Sequence, residues 1–394
     1  MNIFVLGNGF DLHHGLLTSY TNFLQIVEFI KTNGVSSYSN IGEIISNKKL
    51  LVTNSQYDTS YSKYSIAYDN TTISDEDLKI LIEGATNNCW FNYLHGLIDN
   101  DKGWIDFEIE IKQVVGAFKE LISKVTRPAD KIDWNHLSKS TTHIIQKFNF
   151  VLENRTSESV LSSPFPYSVI NPVFLSEKPL GSKNLFVDAD KVAERLYNEL
   201  EHFSEMLRVF LRCFVDNLLK NISKMNLLSV ENSMFLDAHS VISFNYTSTY
   251  EQLYNKCHVI HHHGTINEKI ILGIDSDQTD ELSGLNTTFI NFKKYYQRII
   301  HRTDLEYIDF INRQFESINS YPRTEKKVFI VGHSLDKTDK EVITDVFSIA
   351  KEIYIYYHSE NALKSLVKNL ISIFGKEGFD SIRSEKKLRF ELLT

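Results

Sequence analysis

The feature that most constrains this chain is its opening. An apolar run, Met1 to Leu6 (MNIFVL), breaks directly into Gly7-Asn8-Gly9-Phe10-Asp11-Leu12-His13-His14-Gly15-Leu16, with the helix-start residues Thr18 and Ser19 just beyond. A buried strand, a glycine turn and a helix in that order form the phosphate side of many nucleotide sites. The glycines let backbone N–H groups approach a pyrophosphate, and the helix presents its positive end to the same anion. The same spacing also ends many α/β strands for turn geometry alone, so a ligand reading needs support from elsewhere in the chain.

The pattern continues with Phe23, Leu24, Ile26, Val27 and Ile30 at helical spacing, closed by Asn33-Gly34, which completes a first strand-loop-helix unit. Residues 35–75 are rich in Ser, Tyr, Asn and Thr with little periodicity, and read as a long surface excursion. From about Asp77 to Met225 the spacing is helical, less regular between about Glu153 and Asp188. One face carries Trp104, Phe107, Ile111, Val114, Val115, Phe118, Leu121 and Ile122; another carries Leu196, Leu200, Phe203, Leu207, Phe210, Leu211 and Phe214.

Strand signals return at Ser240–Asn245, His258–His261, Lys269–Leu272, Lys327–Val331 and Glu352–Tyr356, several of them nearly continuous apolar runs as parallel, doubly covered strands require. Helical patterns follow at Asp339–Lys351 and Glu360–Phe374, the second capped by Ser359 and ended by Gly375. The expected fold is a doubly wound, mostly parallel, Rossmann-like α/β sheet interrupted by a large all-helical insert. Residues 1–34 and 227–394 would form the nucleotide-binding domain, and 35–226 a largely helical insert with long surface loops.

Composition narrows the function classes. The 394 residues, 42% hydrophobic and 23% charged, have 26 Phe and 19 Tyr against 16 Gly and 6 Pro, which describes packed elements more than disorder. No apolar run reaches the ~18 residues of a spanning helix, and the first strand begins without a leader, so no membrane partner and a cytoplasmic location are expected. Three scattered cysteines, Cys89, Cys213 and Cys257, form neither a disulfide framework nor a zinc ribbon. The formal charge of −8 opposes generic nucleic-acid binding. Two local basic runs, Lys293/Lys294/Arg298/Arg302 and Lys386/Lys387/Arg389, read most simply as solvated faces.

In a parallel sheet, functional residues gather beyond the carboxyl ends of the strands. Four strand ends carry such motifs: Gly7-Asn8-Gly9, Asn245-Tyr246-Thr247, His261-His262-His263-Gly264-Thr265 and Gly332-His333-Ser334-Leu335-Asp336. Their order and spelling resemble the sirtuin fold of NAD-consuming enzymes: Gly7-Asn8-Gly9 with Gly15-Leu16 is similar to its glycine motif, Phe244-Asn245-Tyr246 to its Gln-Asn-Ile segment, His263-Gly264 to its catalytic His-Gly, and Gly332-His333-Ser334-Leu335 to its Gly-Thr-Ser-Leu. More closely, the chain resembles the AbiH family of bacterial phage abortive-infection proteins, marked by G-N-G-F-D-L, W-x-D-x-E, F-N-Y-T, H-x-H-G and G-H-S-L-D. All five are present, at Gly7–Leu12, Trp104–Glu108, Phe244–Thr247, His261–Gly264 and Gly332–Asp336.

The resemblance implies an antiphage effector that hydrolyses the nicotinamide–ribose bond of NAD or a related nucleotide. Such bonds break through an oxocarbenium-like state. In that reading His263 is the general base and Asn245 holds ribose or water. Gly7, Asn8, Gly9, Asp11, Gly264, Gly332 and Ser334 would bind the nucleotide, with His261, Glu108 and Asp336 behind them. NAD would be a substrate, and no metal is expected. Asp11 stands where a small hydroxyl is usual and needs His13, His14 or a ribose hydroxyl beside it. The zinc module of protein deacylases is absent, which argues against deacylation.

Each residue also has a plainer reading. His263 would be a structural histidine or, with Cys257, His258 and His261, a metal ligand; Asn245 a turn residue; Glu108 a buried ion pair bracing the insert; Asp336 and Asp339 helix caps; Trp104 core. Two other function classes remain. One is a nucleotide-binding sensor without turnover, whose insert contacts a partner, and which a homo-oligomer or a phage-derived trigger would suit. The other is a nuclease or nucleic-acid-binding effector, supported by the Lys293–Arg302 run alone.

Overall fold

A computed structural model describes residues 1–33, 40–47, 55–98, 106–124, 136–152, 169–177, 185–225, 233–254, 257–274, 287–319, 325–385 and 388–393. Its centre is a six-stranded parallel sheet made of β1 (Asn2–Leu6), β2 (Ser240–Ser243), β3 (Val259–His261), β4 (Lys327–Val331), β5 (Glu352–Tyr357) and β6 (Arg389–Leu392). The order across the sheet is β3-β2-β1-β4-β5-β6. β1 is central, with Leu6 opposite Ser243 on one side and Val331 on the other. All four motif-bearing loops therefore leave the same edge of the sheet.

Alternation along the strands covers both faces. Ile3, Val5, Ile242, Val328, Ile330, Ile353 and Ile355 pack against helices Leu305–Asn319, Lys340–Ile349 and Glu360–Glu385. Phe4, Leu6, Val241, Val259 and Val331 pack against Phe10, Phe235 and Tyr250. Ser359 caps the last long helix through the N–H of Ala362, as expected. Gly375, at φ 70°, interrupts that helix, which then resumes to Glu385.

A second, larger core is built mainly from the central third of the chain. Phe23, from helix Tyr20–Asn33, meets Phe91, Phe203 and Phe210 there. Each such buried ring contributes about 2–3 kcal/mol by burial. Helices Asp75–Asn87, Cys89–Ile98, Phe107–Lys124, Lys139–Lys147, Ala189–Leu211 and Asn217–Lys224 form the body. It is not all helical. Two short antiparallel ribbons, Val151–Leu152 with Val169–Ile170 and Leu175–Glu177 with Leu185–Val187, interrupt it.

Two other expectations are corrected. Within residues 35–75 the described part is helical and packed: Ile41–Ile45 and Ser55–Asp69 bury Ile44, Tyr64 and Tyr68. Tyrosine and small residues supply that face, so aliphatic spacing does not reveal it. The apolar run Lys269–Leu272 joins no sheet. The Gln297 amide accepts from Leu272 N–H (3.0 Å) and donates to its carbonyl (2.9 Å), replacing a neighbouring strand. No helix among the described residues is long and apolar enough to cross a membrane.

Candidate functional site

At the carboxyl edge the loops after β1 and β4 interlock. Gly7 N–H donates to the Val331 carbonyl (3.0 Å) and Gly9 N–H to that of Gly332 (2.8 Å). A side chain at Gly7 would meet His333 Cα at 2.6 Å, and one at Gly9 would meet Gly332 Cα at 2.7 Å; Gly332 itself sits at φ 68° against Phe10 N. The glycines thus serve the approach of one backbone to another, and the Gly7 and Gly9 amides already have acceptors. Asn8 is exposed.

On the β2 side of this interlock lies Asp11, buried to 1%. Thr247 Oγ1 donates to its Oδ2 (2.6 Å), while Oδ1 has no hydrogen-bond partner among the described residues. Burial pushes its carboxyl up to about 6 against the hydrogen bonds of Thr247, Thr249 and Asn245. Asn245 donates from Nδ2 to the Gly7 carbonyl (3.1 Å). His261 lies next to this group. Its Nδ1 is 3.0 Å from the Asn245 carbonyl and its Nε2 2.6 Å from Glu251 Oε1. Burial lowers the His261 pKa, but Glu251 outweighs it and the net shift is upward. His14 is engaged elsewhere: it bonds the Phe10 carbonyl and the Tyr254 hydroxyl, and burial lowers it to about 4.

A second cluster lies across segment 245–247. Asn245 and Thr247 turn toward Asp11, while Tyr246, between them, is influenced by Lys294 and Glu108. Lys294 is buried, in ion-pair contact with Glu108 and with Asp339 (3.4 Å). His263 Nε2 stands 3.2 Å from Asp339 Oδ1, outside hydrogen-bond alignment, and His333 Nε2 3.5 Å from Oδ2. Leu335 N–H donates to His333 Nδ1 (2.9 Å), which leaves the proton of the neutral ring on Nε2, toward Asp339. One cation faces two carboxylates. Lys294 holds Asp339 well below its usual range despite burial, whereas burial raises Glu108 to about 7 in spite of Lys294. His263 is lowered to about 4, by burial first and Lys294 second, and is neutral at pH 7.

The motifs therefore meet at one edge but form two groups. Asp11, Asn245 and His261 belong to the first; Glu108, His263, His333 and Asp339 to the second. His263 packs against Phe244 and His262 and stands beside Asp339. Ser334 is exposed, and its carbonyl accepts from Asn369. Gly264, at φ 77°, shapes the turn after His263. Asp336 caps the short turn Lys337–Asp339 through Thr338 N–H, as its plain reading held, but Asp339 caps nothing and is the centre of the ion cluster. Trp104 and Ile105 lie outside the described residues. The alternative Cys257/His258/His261/His263 metal set does not gather into a metal-holding group among the described residues: His258 pairs with Glu306, His261 with Glu251 and His263 with Asp339.

Lys294 and Glu251 are the residues that sequence reasoning missed. Lys293, Lys294 and Arg298 are buried to 5%, 1% and 8%, so the basic run is not a solvated face and offers nucleic acid only Arg302. A signal was available. In helix Lys294–His301 the exposed positions are Tyr295, Ile299 and Ile300, which inverts the ordinary pattern.

A family model described as bacteriophage abortive infection AbiH matches residues 3–357. The chain belongs to the AbiH family. This AbiH protein is thereby placed among bacteriophage abortive infection proteins. No curated protein and no solved structure matches it, so the sirtuin likeness rests on the motifs alone.

Proposed function

We propose that this AbiH protein is an abortive-infection effector that cleaves the nicotinamide–ribose bond of NAD or a related nucleotide at the carboxyl edge of its sheet. The observation that carries the reading is Asp11 Oδ1, a buried carboxylate oxygen without a partner among the described residues. Leaving such an atom unpaired costs about 1–3 kcal/mol or more, a cost native folds accept chiefly where a ligand or a reaction uses the group. The strand order, that of doubly wound dinucleotide-binding sheets, supports the nucleotide class. Ionised Asp11 would stabilise the positive charge of an oxocarbenium-like state, and Asn245 would position the ribose. Glu108, poised near neutral pH and partly accessible, suits proton removal from the attacking water; His263, neutral beside Asp339, is the other candidate base.

The test is nicotinamide release from NAD by the purified, folded protein. Asp11→Asn and Asn245→Ala are expected to lower the rate by about 100-fold or more. No release under any condition that activates the protein in cells, or full release by both variants, would sink the proposal. The committed Gly7 and Gly9 amides and the enclosed His263 favour a second reading, a nucleotide sensor without turnover. Calorimetry showing tight nucleotide binding with no product would select it.

A further inference from the structure

Beside the buried clusters, the ends of β2 and β3 open onto a cleft of about 630 Å³ whose wall includes Tyr246, Glu251, His261, Thr265, Arg302 and Thr303. That volume is within the range of small-molecule sites. Glu251 Oε1 is fixed by His261 Nε2 at 2.6 Å, while its Oε2 is buried without a partner among the described residues. The other His261 nitrogen faces the Asn245 carbonyl, so both ring nitrogens face acceptors, and a doubly protonated ring satisfies both. Thr303 Oγ1 is also buried and unpartnered.

Arg302 is exposed at the end of helix Lys294–His301, left-handed at φ 56°, with no ion pair among the described residues. An orienting imidazole thus fixes a carboxylate with spare lone pairs on one wall, and an uncommitted guanidinium stands on another. A rigid carboxylate with a free oxygen suits hydroxyl donors, above all a vicinal diol; a guanidinium suits phosphate. Glu268 and Glu306 also line the cleft, Glu306 paired with His258, so its charge disfavours a polyanion and admits a single phosphate.

We infer that this cleft holds a ribose-phosphate unit of a nucleotide, with its vicinal hydroxyls on Glu251 and its phosphate on Arg302. The inference rests on the nucleotide reading above and names the surface that grips the ligand. Calorimetric titration of the full chain with AMP, 2′-deoxy-AMP and adenosine tests it. AMP is expected to bind, with 2′-deoxy-AMP and adenosine each about tenfold weaker. Glu251→Gln should bring AMP and 2′-deoxy-AMP within about twofold of each other, and Arg302→Ala should do the same for AMP and adenosine. Thermal melting checks that each variant is folded.

Cys257 gives an independent reading. It lines the cleft, whereas Cys89 and Cys213 are buried. Saturating AMP should slow its alkylation by N-ethylmaleimide about tenfold, as ligand occupancy of a site blocks reagent access. No AMP binding, wild-type binding indifferent to the 2′ hydroxyl, unchanged binding by both variants, or unprotected Cys257 overturns the inference. Wild-type nicotinamide release by both variants would likewise overturn it while leaving hydrolysis in place. AMP binding as described without any release does the reverse.

Discussion

At the scale of single residues, Asp11 and His263 pull stability in opposite directions. The folded chain holds the Asp11 proton to about pH 6, against 3.8 for an unperturbed Asp. Folding therefore takes up a proton between those values, and this contribution to stability falls as pH rises through the window and stays lost above it, by up to about 3 kcal/mol. Asp11→Asn removes the term, so its melting temperature at pH 7.5 should exceed that of wild type; a lower value would contradict the burial argument. His263, lowered from 6.5 to about 4, stabilises above pH 6.5, and that contribution is lost as pH falls toward 4. In Asp11→Asn, with the opposing term gone, acid destabilisation between pH 6.5 and 4 should be steeper than in wild type. If turnover uses ionised Asp11 and Glu108, kcat/KM for NAD should rise through about pH 6 and again through about 7; a profile flat from 5 to 8 excludes both roles. The placement of Asp11 and Asn245, buried at the carboxyl edge, was legible because their motifs follow strands that the sequence marks clearly. Glu251 was not, because nothing in its own segment shows that it faces His261.

Elements show how the ion cluster was hidden. Helix Lys294–His301 turns its cations inward because Glu108, from helix Phe107–Lys124, and Asp339, from the loop after β4, wait there, while Ile299 and Ile300 face water. Periodicity reports which face differs, but only the partners decide which face is buried. Lys294→Met would leave the Glu108 and Asp339 carboxylates without their shared cation and should cost about 3–5 kcal/mol, read as a shift in denaturant midpoint. A smaller effect than that of an exposed lysine such as Lys79 would dismiss the cluster as structural glue. Gln297→Leu leaves the Leu272 N–H and carbonyl unpaired and should cost about 2 kcal/mol or more. Lys269–Leu272 reads as a strand because its run is apolar and buried, yet the Leu272 N–H and carbonyl are met by a side chain and Ile271 N–H by the His263 carbonyl instead of a strand ladder.

For the whole molecule, the sheet strands β1 to β5 were readable because parallel strands buried on both faces leave near-continuous apolar runs. The pairing order was not, since register depends on partners far away in the chain. In cells carrying the AbiH protein, phage plating should be suppressed by wild type and restored by Asp11→Asn, with equal protein levels on an immunoblot as the control. Suppression that survives that substitution would move the effector function away from the sheet edge. The central place of β1 has a further meaning for biosynthesis. Its neighbours begin at Ser240 and Lys327, so β1 waits unpaired at the ribosome until both of these distant segments have emerged. A polypeptide cut short before Lys327 has nothing to place on the second side of β1, so its sheet stays open at what should be its middle.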